Sequence, residues 1–116
     1  MATKDKWTAM RKRLEEERKA KLEERAHLER DLAYEADYGF GEGDPGIYER
    51  EKAMALIRTV DEDLSEIDRA LKKIEEGTYG ICEECGQPIP EERLEIVPAT
   101  RYCVQCASKR SAKLYR

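Results

Sequence analysis

Cys82-Glu83-Glu84-Cys85 and Cys103-Val104-Gln105-Cys106 place all four cysteines of the chain in two C-x-x-C pairs, seventeen residues apart. Two thiolates from each pair can occupy the corners of a tetrahedron around one zinc ion, the intervening loop carrying the second knuckle to the far side of the metal. Gly86 follows the first pair, where the backbone has to turn back towards the ion. The rival chemistries of the same residues are two disulfides or a redox-active C-x-x-C. No signal-peptide pattern opens the sequence and nothing implies an oxidising compartment, so zinc is the expectation.

A site of four thiolates leaves no open position for water or substrate, so it holds structure and hydrolyses nothing. Cys82, Cys85, Cys103 and Cys106 are therefore expected to bind one structural Zn²⁺, contributing on the order of 10 kcal/mol to folding. Four thiolates on one zinc carry a net double negative charge, which Arg93 and Arg101 stand close enough in sequence to offset. No other residues point to catalysis. The lone histidine, His27, falls opposite the apolar side of its helix, and neither a Gly-rich phosphate loop nor a Ser/His/Asp arrangement is present. The reading is a protein that is not an enzyme.

The elements that must carry this site follow from periodicity. Ala53, Ile57, Val60, Leu64, Ile67, Leu71 and Ile74 step by four and three alternately, the spacing of a coiled-coil seam, which predicts a helix over about 49–76. Gly77 ends it, and Thr78-Tyr79-Gly80 leads straight into the first knuckle. A less regular helix is predicted over about 5–36. Its stripe of Trp7, Met10, Leu14, Leu22, Leu28, Leu32 and Ala36 falls within a sector of roughly 120°, with a gap from Glu15 to Lys21. Between the helices, residues 37–46 hold four glycines and one proline and cannot continue a helix. After Cys106, Lys109, Arg110, Lys113 and Arg116 mark a short basic C-terminal helix, either a solvated face or a contact for nucleic acid.

The fold class is accordingly mainly α. An antiparallel coiled-coil helical hairpin over 1–76 joins a small four-cysteine zinc-finger lobe over 77–116. Composition agrees: 116 residues are 41% charged and only 7% aromatic, too little apolar material for a thick core. A net charge of −4 argues against binding driven by phosphates. No apolar run is long enough for a bilayer, so a cytoplasmic protein without membrane contact is expected. Asp37, Glu42 and Asp44 make the hairpin tip acidic with no cation among them. Such a tip suits entry into a channel, where carboxylates can approach a bound Mg²⁺ or basic groups, and equally suits an ordinary solvated turn. Tyr34, Tyr38, Phe40 and Tyr48 cluster near it as a cap or as partner contacts.

The run Ala70-Leu71-Lys72-Lys73-Ile74-Glu75-Glu76-Gly77-Thr78-Tyr79-Gly80-Ile81-Cys82, followed by Cys85-Gly86, Arg93-Leu94-Glu95, Pro98 and Cys103-x-x-Cys106, resembles the TraR/DksA family of bacterial zinc-finger proteins. The likeness covers about residues 44–110 and is only architectural over the first helix. It implies a bacterial transcription regulator that binds RNA polymerase directly and places the hairpin and its acidic tip in the secondary channel, without sequence-specific DNA binding. Two departures stand out. Where the family's tip often reads D-x-x-D-x-A, this chain has Asp44 followed by Ile47 and Glu49. At the positions where some members bind ppGpp through basic residues, it has Glu66, Val97 and Ala107, so no ppGpp response through that site is expected. The alternative is a zinc-ribbon adaptor for another protein or nucleic acid, with the hairpin as spacer or dimerisation arm. A monomer is the expected state.

Overall fold

Among its described residues the computed structural model has four helices of nearly two turns or longer: α1, Thr8–Asp37; α2, Gly46–Glu76; α3, Glu91–Ile96; and α4, Val104–Leu114. It describes the backbone over residues 6–37 and 46–114, and side chains over 6–34 and 48–111. Among the described residues there is no β-strand, only a single antiparallel bridge between Ile81 and Pro88. No helix among them is long and apolar enough to cross a membrane. The fold is mainly helical, as the periodicity requires.

The helix limits shift slightly. Regular α1 begins at Thr8, although the Arg11 N–H already donates to the Trp7 carbonyl at 2.8 Å. Asp37 and Gly46, both assigned to the breaker by composition, are the last residue of α1 and the first of α2. A glycine is tolerated there because N–H groups of a first helical turn have no intrahelical partner to lose.

The chain divides into two compact units, one of residues 1–15 with 66–116 and the other of residues 16–65. In the second, ion pairs align the two helices. Lys21 lies 3.1 Å from Asp63, and Arg25 donates to the two oxygens of Asp61 at 2.6 and 3.3 Å. As α1 advances from 21 to 25 its partner on α2 recedes from 63 to 61, which fixes the antiparallel sense. These pairs occupy and adjoin the gap that the α1 stripe leaves between Glu15 and Lys21. Val60 is buried, Ile57, Leu64, Leu28 and Leu32 are half-buried, and Leu22 is exposed. His27 is exposed beside Asp31.

The first unit carries the apolar core. Leu14, Ile67, Ala70, Ile74, Tyr79, Ile89 and Leu94 bury together with Cys82 and Cys106, and Trp7, Met10 and Leu71 close over them. Trp7 meets Tyr79 edge to face, ring centroids 4.8 Å apart, a favoured aromatic geometry. The Tyr79 hydroxyl donates to the Pro98 carbonyl at 2.7 Å, so the buried phenol is satisfied.

Candidate metal centre

The site begins where α2 stops. Gly77 has φ +81, its N–H donates to Ile74 O at 3.2 Å, and Thr78 N–H donates to Lys73 O at 2.9 Å. This pair of hydrogen bonds across a left-handed residue is a Schellman cap, and it releases the chain from the helix axis at the point the knuckle requires. Three residues on, Gly80 (φ +85) lies so close to Trp7 that a Cβ there would meet the indole at 3.2 Å.

A tight loop then forms the first knuckle. Ile89 N–H donates to Gly80 O at 2.7 Å, Cys82 N–H to Gln87 O at 2.9 Å, and Gly86 N–H back to Cys82 O at 3.0 Å. The positive φ of Gly86, +76, makes that return possible. The short helix α3 follows. Leu94 is its buried residue and seats it in the core. Arg93 reaches past it to donate to Tyr102 O at 2.9 Å, while Thr100 Oγ1 binds the Tyr102 carbonyl and amide at 3.0 and 3.3 Å. This loop delivers Cys103 just before α4, and Cys106 lies one turn into that helix.

The four sulfur atoms of Cys82, Cys85, Cys103 and Cys106 all lie within 4.8 Å of one another. Cys85 Sγ and Cys103 Sγ, one from each knuckle, are 3.9 Å apart. That is far beyond a disulfide and close to the edge of about 3.8 Å that a tetrahedron with Zn–S bonds of 2.3 Å demands. All four cysteines are free thiols, two buried, one half-buried and one exposed. The donor set and its spacing fit one zinc ion. The metal's thiols sit in unequal surroundings. Hydrogen bonding, first from the Cys85 backbone N–H, brings the Cys82 thiol down to about 6, whereas burial, reinforced by neighbouring cysteines, pushes Cys106 up to about 12. Zinc would have to displace protons from these thiols, so its affinity falls as the solution is acidified.

Neither arginine singled out as a counter-charge is free for that task alone. Arg93 is spent on the Tyr102 loop, and Arg101 donates to Glu83 at 3.0 and 2.9 Å. Glu83 also touches the Lys73 ammonium. Burial alone would raise its carboxyl, but the bonds from Arg101 and Lys73 outweigh that and hold it below its ordinary value. Periodicity missed α3, and composition missed this cluster. The signal for α3 was present in Pro90-Glu91-Glu92, a proline and two acids at a helix start. Of the tip residues, Asp37 closes α1 with its side chain outside the described residues, and Glu42 and Asp44 lie outside them altogether.

Residues 77–112, the stretch that contains all four thiols, match the prokaryotic dksA/traR C4-type zinc finger. The chain carries a dksA/traR C4-type zinc finger over those residues. Its four cysteines are positioned to bind the one zinc ion of such a finger. It is 65% identical over 46 residues to an uncharacterized protein of Aquifex aeolicus, covering 40% of this chain and 32% of that one. With the RNA polymerase-binding transcription factor DksA of Caulobacter vibrioides it shares 36% identity over 87 residues, 72% of this chain and 58% of the relative. The matches thus span from about a third to under two thirds of these relatives. The solved structure of the transcription factor DksA2 from Pseudomonas aeruginosa superimposes with a TM-score of 0.62 at 24% identity, covering 98% of this zinc-finger protein and 84% of DksA2. That likeness is one of fold.

Proposed function

We propose that this protein is a non-enzymatic bacterial transcription regulator that binds RNA polymerase directly. The hairpin over 1–76 enters the secondary channel, and the finger over 77–116, with Cys82, Cys85, Cys103 and Cys106 on zinc, serves as a structural base. Asp37, Glu42 and Asp44 act at the tip, where carboxylates can draw on a bound Mg²⁺ or on basic groups. The observation that carries this reading is the match to Caulobacter DksA, whose 87 residues extend well past the finger into the helices. A ligand of this kind alters initiation by shifting the free energy of a marginal intermediate, about tenfold in output for each 1.4 kcal/mol. Glu66, Val97 and Ala107 offer no cation to ppGpp, and the protein acts without it as a cytoplasmic monomer.

Immobilised core RNA polymerase should retain the zinc-loaded protein at micromolar concentration, and a known secondary-channel binder should displace it. Absence of retention would overturn the proposal. One feature favours a second reading, an adaptor whose finger docks on another protein. Ile96, Val97 and Val104 are exposed along a groove of about 290 Å³ between α3 and the start of α4. Retention that a secondary-channel binder leaves intact but Ile96→Asp abolishes would move the function to that groove.

A further inference from the structure

We propose that Glu83 is a positioning residue for the zinc: it latches the two knuckles to each other and to α2, and so sets how slowly the metal is lost. Glu83 stands between the ligands Cys82 and Cys85, and it is joined to the approach of the second knuckle twice. Its backbone N–H donates to Arg101 O at 2.9 Å, and its Oε1 accepts from Arg101 Nε at 3.0 Å and Nη2 at 2.9 Å. Oε2 is left for the Lys73 ammonium on the last turns of α2. Lys73 precedes Ile74, one of the most deeply buried side chains of the protein, so the latch is anchored to a rigid wall.

Zinc leaves such a site one thiolate at a time, and escape competes with recapture by the thiolate that has just let go. A tie between the knuckles keeps that thiolate at high effective concentration, which favours recapture. Solvent access separates this latch from an ordinary surface pair. The Glu83 and Lys73 side chains are 26% and 19% exposed, whereas the neighbouring Glu84–Arg110 pair, at 3.3 Å, is 45% and 52% exposed. An exposed single contact of the second kind contributes little. The inference does not depend on what the hairpin binds.

Charge alone predicts the opposite sign. Glu83 is a negative group beside a site that four thiolates make dianionic, so removing its charge should tighten zinc if electrostatics ruled. The experiment is zinc release from the zinc-loaded full chain into excess EDTA. Glu83→Gln is expected to release the metal about tenfold faster, the scale of outer-shell effects on metal sites. Glu84→Gln should stay within about twofold of the parent. Lys73→Met, which leaves the knuckle loop untouched, should be faster than the parent, Lys73→Arg should restore the parent rate, and Glu83→Gln with Lys73→Met should act less than additively. Far-ultraviolet circular dichroism and Trp7 fluorescence of each zinc-loaded variant monitor folding; should Glu83→Gln fail to fold, the two Lys73 variants decide alone. Release from Glu83→Gln at or below the parent rate, equal acceleration by Glu84→Gln, or no difference between Lys73→Met and Lys73→Arg would overturn the proposal.

Discussion

Residues 16–65 and the unit formed by 1–15 with 66–116 share the helices α1 and α2 and are held by different physics. Among the described residues, nine of the ten buried hydrophobic side chains, proline aside, belong to the unit with the finger, and Val60 alone belongs to 16–65. The first unit has an apolar core, a satisfied buried phenol and a metal centre. The second has a narrow seam and ion pairs, Lys21–Asp63 and Arg25–Asp61, across its helices. A two-helix segment buries only a stripe, and exposed ion pairs specify alignment more than they add stability. Cohesion is therefore concentrated where the chelate is, and the paired helices of 16–65 keep a charged surface.

The sharpest way to break this contrast is to remove the metal. Chelation, or Cys103→Ser, withdraws on the order of 10 kcal/mol from one unit only. Trp7 is the single tryptophan and packs on Tyr79 in that unit, so its fluorescence reports the loss directly. The expected outcome is a large change in Trp7 emission with a smaller fractional loss of helix signal. A proportional collapse of both signals would mean that the two units do not differ as described.

Side-chain truncation sharpens it next. Leu94 is 1% exposed in the metal-bearing unit, and Leu22 is 41% exposed in the other. Leu94→Ala should cost about 2–5 kcal/mol in denaturant unfolding of the zinc-loaded protein, and Leu22→Ala below about 1 kcal/mol. The smallest effect belongs to the ion pairs. Hydrogen bonds from Arg25 hold the Asp61 carboxyl below its ordinary value of 3.8. A depressed carboxylate contributes stability that is complete above the ordinary value and is lost as pH falls through the depressed one. Asp61→Asn should leave the denaturation midpoint slightly lower near neutrality and remove that part of its acid dependence. A large shift at neutral pH would show that these pairs hold 16–65 together.

Legibility in the sequence followed the same divide. The α2 seam was readable because every one of its residues, from Ala53 to Ile74, turns a buried or half-buried side inwards. The zinc thiols were readable because spacing along the chain fixes which sulfurs can meet. The gap in the α1 stripe was visible, but its filling by Lys21 and Arg25 was not, since a charge pattern does not name its partner across a hairpin. The helix α3 escaped because six residues are too few to show a period. Glu83, Lys73 and Arg101 come together only through the Schellman turn at Gly77 and the loop behind Tyr102, and neither has a periodic signature.

The central claim is that a finger-anchored hairpin acts on polymerase through its acidic end. In vitro transcription with bacterial RNA polymerase, comparing the parent with a variant carrying Asp37→Asn, Glu42→Gln and Asp44→Asn, tests it most directly when polymerase retention is measured on the same samples. The account predicts that the variant is still retained and no longer alters initiation. An unchanged transcriptional effect, or parallel loss of binding and effect, would contradict it.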